Sequence, residues 1–124
     1  VDVVYAAAGG TGVGVYQTAE DSKKFAIGVD SNQNYLHPGT MLTSMLKRVD
    51  VAAYKAFKDA HDDAWTSGIQ VLGLAEDGVG WALDEYNKDL VSDDMKAKVE
   101  AAAAEIVAGK LQVHDYMASD SCSY

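Results

Sequence analysis

The residues with chemistry in them come early. Four glycines, Gly9, Gly10, Gly12 and Gly14, follow an apolar run, and Asp30 closes a second apolar run twenty positions after Gly10. A glycine turn between a strand and a helix lets a ligand approach the backbone. An acid at the carboxyl end of the next strand accepts hydrogen bonds from the two hydroxyls of a ribose. The dinucleotide fingerprint G-x-G-x-x-G is only half met. With Gly10 and Gly12 as its first two members, the third falls on Val15. A tight strand-to-helix turn that holds no ligand accounts for the same glycines. Ser31, Asn32, Gln33 and Asn34 surround Asp30 with hydrogen-bonding side chains, which suits a polar ligand. Lys47 and Arg48 form an adjacent basic pair just ahead of a helix. Cations avoid the positive end of a helix dipole, so the pair points to an acidic or hydroxyl-rich neighbour; a solvated helix start is the plainer reading.

Other chemistries find no support. The chain has no G-x-x-x-x-G-K-[ST] loop and no G-x-S-x-G elbow. His37, His61 and His114 stand far apart, without metal-ligand spacing. Asp62-Asp63, Asp84-Glu85 and Asp93-Asp94 read as solvated helix ends, since acid-base work needs convergence that adjacency does not provide. The expectation is no enzyme, no metal and no cofactor.

The elements that must position these residues follow from apolar spacing. Residues 1–8 read as a strand covered on both faces, 13–24 as a helix with Val13, Tyr16 and Ala19 on one face, and 25–29 as a second strand. A polar loop containing Pro38 leads to a strand at 41–46. A helix from 49 to about 64 carries the stripe Val49, Ala52, Ala53, Ala56, Phe57 and Ala60. Residues 69–74 and 79–83 read as short strands, and 111–113 as one more. Ser92 caps a last helix that stops at Gly109. The order β-α-β-β-α-β-β-α-β means an α/β fold with a mainly parallel sheet, thinly covered by its three helices.

With 48% apolar residues in 124, the composition is that of a folded domain, and no run approaches a membrane-spanning length. A net charge of −9 argues against nucleic acid as a partner. Cys122 reads as a free thiol in a tail, or as a half-cystine whose mate lies outside the chain. The chain opens directly on a strand, and the expectation is that further chain lies upstream.

Val3-Val-Tyr-Ala-Ala-Ala-Gly-Gly-Thr-Gly-Val-Gly-Val and Ala26-Ile-Gly-Val-Asp-Ser-Asn-Gln resemble the basic membrane lipoprotein family, the purine-nucleoside receptor-like substrate-binding proteins of ABC transporters. Leu42-Thr-Ser-Met-Leu-Lys-Arg-Val-Asp, Gly78-Val-Gly-Trp-Ala-Leu-Asp and the helix ending Ala108-Gly-Lys extend the likeness over nearly the whole chain. The resemblance implies a type I periplasmic-binding-protein-like fold, Rossmann-like in each lobe, of which this chain is the C-terminal portion. Residues 1–39 would be a C-terminal-lobe βαβ unit and hinge crossing, 40–68 a strand and helix of the N-terminal lobe, and 69–124 the return plus a tail. It implies an extracytoplasmic, lipid-anchored protein that captures a purine nucleoside for an ABC permease. Carried over by position, Asp30 would hold the ribose hydroxyls, Lys47 would reach the same sugar, and Gly9 and Gly10 would let the ligand approach. The residues that sandwich and read the base would lie upstream. Two alternatives stand beside this: an NAD-binding Rossmann-type oxidoreductase fragment, and a non-binding truncated module that pairs with a second copy in a swapped dimer.

Overall fold

The computed structural model describes residues 1–119 and Ser121; the expectations for Cys122 lie outside the described residues. The elements are β1 (Val3–Tyr5), α1 (Gly12–Asp21), β2 (Phe25–Gly28), β3 (Met41–Lys47), α2 (Val49–His61), β4 (Val79–Trp81), α3 (Asp93–Val107) and a single turn, α4 (Tyr116–Ser119). The strands form one open sheet in the order β1-β2-β3-β4. The first three are parallel, and β4 runs antiparallel to the end of β3. The α/β class and the mainly parallel sheet are therefore as expected. β3 is the longest strand and the hub. It meets β2 through Met41, Thr43 and Ser44, and β4 through Met45, Leu46 and Lys47.

Local signals account for the helices. α1 buries Gly12, Tyr16 and Ala19, spaced at four and then three positions so that they share one face. Val13, expected on that face, is exposed instead. The helix ends in a Schellman turn with Lys23 at φ +52°. There Lys24 N–H donates to Ala19 C=O at 2.8 Å and Lys23 N–H to Glu20 C=O at 3.0 Å. α3 begins as expected on Ser92, whose Oγ accepts from Met95 N–H at 3.2 Å. It closes with the same turn around Gly109, at φ +70°.

Three strand expectations need correction. The run at 1–8 yields three strand residues only, with Val3 and Tyr5 exposed. Residues 69–74 form no strand; Ile69 is 98% and Val71 86% exposed. Residues 111–113 are likewise irregular. In each case the run is apolar, but a strand needs a neighbour to complete its ladder, and these stretches have none or one.

The apolar core is small: Ala6, Tyr16, Ala19, Ala26 and Met41, with Val4, Val15 and Leu36 at its margin. α2 and α3 bury no residue completely, and Tyr54 and Phe57 on α2 stand open. A concavity of about 560 Å³ between α1 and β1, lined by Val3, Val4, Val15 and Phe25, is an uncovered packing surface of the sheet and lies away from Asp30.

What ties the far half of the sheet together is polar. Asn87, fully buried, donates to Leu42 C=O at 2.7 Å and Ala82 C=O at 2.9 Å, and its Oδ1 accepts from Asp84 N–H at 2.8 Å. Cutting that amide removes its bonds to Leu42 C=O and Asp84 N–H, while Ala82 C=O keeps the Thr43 hydroxyl at 2.8 Å; each lost partner costs about 1–3 kcal/mol. Asn87→Ala should destabilise the fold by roughly 2–3 kcal/mol on that scale, read as a lower denaturant midpoint at unchanged slope.

Candidate functional site

Asp30 sits just past the carboxyl end of β2, where open parallel sheets place their ligands. Its backbone is unusual. At φ +69° it is left-handed, and Ser31 N–H donates across it to Val29 C=O at 2.9 Å. That two-residue closure at positive φ is the strained form of γ-turn, costing of order 1 kcal/mol in a residue with a Cβ. The turn throws the carboxylate outward, and its side chain remains about half exposed.

Lys47 meets Asp30 twice. Its backbone N–H donates to the Asp30 carbonyl at 2.8 Å, prolonging the β2–β3 ladder, and its Nζ lies 2.8 Å from Asp30 Oδ1. The hydrogen bond to the carboxylate, reinforced by the opposite charge, raises the Lys47 ammonium above its ordinary value. Arg48 follows the same logic one residue on. Its guanidinium grips Asp50 in the first turn of α2, at 2.8 Å from Nη2 and 2.9 Å from Nε. Led by that hydrogen bond, the Asp50 carboxyl falls to about 2. The acidic neighbours expected for Lys47 and Arg48 are thus Asp30 and Asp50.

These groups border an open concavity of about 590 Å³, lined also by Ser31, Asn32, Leu46 and Val49. It presents two carboxylates and two cations on an apolar floor, a surface suited to a polyhydroxylated solute. Gly9 and Gly10 do not line it. They form a short 3₁₀ turn, Gly9–Thr11, after β1 at the same edge of the sheet, with Gly9 at φ +53°. The structure therefore brings Asp30 and Lys47 together and leaves the two glycines apart from them. Among the described residues no cluster of side chains could hold a metal ion.

The polar loop after Asp30 behaves differently from expectation. Gln33 and Asn34 turn inward. Gln33 Oε1 accepts from Val29 N–H at 3.1 Å and from the Tyr16 hydroxyl at 2.8 Å. Gln33 N–H donates to Ser44 Oγ at 3.0 Å, and Ser44 donates in turn to Asn34 Oδ1 at 2.8 Å. Asn34 Nδ2 and Asn32 Nδ2 both donate to Asp84 Oδ2, at 3.0 and 2.7 Å. Burial raises the Tyr16 hydroxyl first, with the charges of Tyr5 and Asp30 adding to it. Gly28 makes the crossing possible, because a Cβ there would stand 2.6 Å from Ser44 Oγ. No single position signals this network in the sequence. Its paired members are separated by 4 to 52 residues.

The sequence profile of the family described as "Bmp: ABC transporter substrate-binding protein PnrA-like" matches residues 1–116. The chain belongs to that family. Basic membrane protein D of Borreliella burgdorferi is 37% identical over 97 residues, covering 75% of this chain and 28% of that protein. A CD4+ T-cell-stimulating antigen of Listeria monocytogenes is 36% identical over 130 residues, covering 91% and 36% respectively. A lipoprotein of Pyrococcus abyssi is 43% identical over 89 residues, covering 66% and 22%. Among solved structures, an ABC transporter solute-binding protein from Aeropyrum pernix superimposes with a TM-score of 0.72 at 28% identity, over 97% of this chain and 43% of that one. The chain thus spans between about a fifth and two fifths of the proteins it matches. The Bmp family is one of solute-binding proteins and not of enzymes, which displaces the dinucleotide oxidoreductase reading.

Asp84 gives the site a pH signature. Burial opposes its charge, but hydrogen bonds from Asn32, Asn34 and the Tyr86 N–H outweigh this and hold the carboxyl below its ordinary value. A depressed folded value means a stabilisation that is whole above about pH 4 and lost as the pH falls through the folded value. Asp84→Asn should be less stable than wild type at neutral pH and should lose less further stability on acidification below about pH 4. Paired denaturant titrations at neutral and acid pH check this.

Proposed function

We propose that this chain is the sugar-holding part of an extracytoplasmic substrate-binding protein, which captures a purine nucleoside or a similar ribosylated solute for an ABC importer. The observation that carries the reading is the Asp30–Lys47 pair, 2.8 Å apart at the lip of an open concavity, with Asp30 held in a strained turn that aims its carboxylate outward. A carboxylate has two oxygens and accepts a hydrogen bond on each, so it can bridge vicinal 2′ and 3′ hydroxyls. Lys47, with three donors and no acceptor, is matched to the hydroxyl lone pairs left over. Reversible capture needs no chemistry beyond this.

In this reading the sheet β1–β4 belongs to one lobe and the solute closes the cleft between it and a second lobe; the expected placement of residues 40–68 in that second lobe does not fit β3, which is hydrogen-bonded between β2 and β4. The open face of α2, including Tyr54 and Phe57, then packs on lobe residues outside this chain. Gly9 and Gly10 border the ligand from the neighbouring strand end, and the base is read elsewhere in the protein. The lipoprotein name of a relative and the transporter description of the family support an extracytoplasmic, lipid-anchored setting with a permease as partner.

Hydrogen bonds to a charged group contribute about 1.5–3 kcal/mol each. Asp30→Ala in the full-length protein should therefore weaken nucleoside binding by roughly 100-fold or more, measured by calorimetry, with little change in melting temperature. Unchanged affinity would refute the assignment.

A further inference from the structure

We infer that Gln33 is the positioning residue of the sugar site, fixing the conformation in which Asp30 presents its carboxylate. The inference rests on the sugar-binding reading above and deepens it. A left-handed turn in a residue with a Cβ persists only when its surroundings over-determine it. Asp30 is held on one side by Lys47, whose N–H bonds its carbonyl. On the other side the chain enters the turn through Val29, and the Val29 N–H is bound by Gln33 Oε1 at 3.1 Å.

Gln33 is itself immobilised from three directions. The buried Tyr16 hydroxyl donates to the same Oε1, Ser44 Oγ accepts from the Gln33 N–H, and the missing Cβ of Gly28 leaves room for the amide to lie against β2. A main-chain N–H has only a proton to offer, so the atom facing Val29 is the amide oxygen, and the Tyr16 hydroxyl must then donate. The result is a clasp from α1 through Gln33 to the last strand residues before Asp30. It never touches the ligand site: Gln33 does not line the concavity beside Asp30. Its effect on binding passes through the angle at which the carboxylate leaves the chain.

Two variants separate positioning from bulk stability. Gln33→Met keeps the length and removes the acceptor; Gln33→Glu keeps an acceptor for Val29 and Tyr16. In the full-length protein, the affinities for inosine and 2′-deoxyinosine give a ratio that reports two-point contact by Asp30. NMR titration of the Lys47 ammonium without ligand reports whether Asp30 still faces it. Gln33→Met should shrink the ratio about tenfold, the loss of roughly one charged hydrogen bond, and return the Lys47 titration toward the ordinary lysine value. Gln33→Glu should keep both near wild type. If Gln33→Met lowers the melting temperature and weakens both ligands equally, with ratio and Lys47 titration unchanged, Gln33 is structural only and the inference fails. Should Gln33→Met not fold, Tyr16→Phe removes one donor to the same oxygen and should move both readouts part of the way; no movement overturns the inference. If wild type binds neither nucleoside, the functional reading fails alone, and the Lys47 titration still decides whether Gln33 positions Asp30.

Discussion

Buried polar groups must be paired, and in this chain that requirement shapes the molecule more than its modest apolar core does. Ser44, Asn34 and Asn87 are fully buried, and among the described residues every buried side-chain polar atom has a partner. Ser44 lies on β3, Asn34 in the loop after β2, and Asn87 beyond β4, so three segments distant in sequence converge on one network. Such a network tolerates little adjustment, because each lost partner leaves a desolvated group behind. The apolar part of the core lies at the other end, under α1. The sheet is held by packing near β1 and β2, and by hydrogen bonds from β2 to β4.

That division places the rigid polar framework directly beneath the candidate site. The loop leaving Asp30 is tied through Asn32 and Asn34 to Asp84, and the strand entering it is tied through Gln33 to α1. Asp30 and Lys47 can therefore remain half exposed and still keep a defined geometry. An exposed ion pair alone adds little to stability. On the proposed reading the two groups are already charged, paired and aimed, so that binding a sugar would exchange one set of polar contacts for another with little reordering.

Much of this was legible in the sequence. The strand–glycine–helix–strand opening, the acid at the end of β2, the basic pair before α2 and the Ser92 to Gly109 helix all rest on local signals, and local signals survive. Position marks Asp30 at a strand end and Lys47 as half of a basic pair, while the place of Lys47 on a sugar comes from the family resemblance; the ladder that joins them follows once β2 and β3 pair in parallel. The short strands fared worse. Residues 69–74 are apolar enough for a strand, but an apolar run reports a need for cover and leaves its geometry open. Polar residues in a polar loop carry no sign of direction, so the sequence does not show that Asn34 turns inward; Ser44 and Asp84 decide it, ten and fifty positions away.

The role proposed for Asp30 and Lys47 is jointly to hold the sugar of a ribosylated solute. A crystal structure of the full-length protein grown with a purine nucleoside tests it most directly. Both Asp30 carboxylate oxygens should lie within hydrogen-bond distance of the 2′ and 3′ hydroxyls, with Lys47 Nζ on the same sugar and the left-handed turn at Asp30 unchanged. A nucleoside bound with its ribose away from Asp30, or with the Asp30–Lys47 pair intact and untouched, would contradict it.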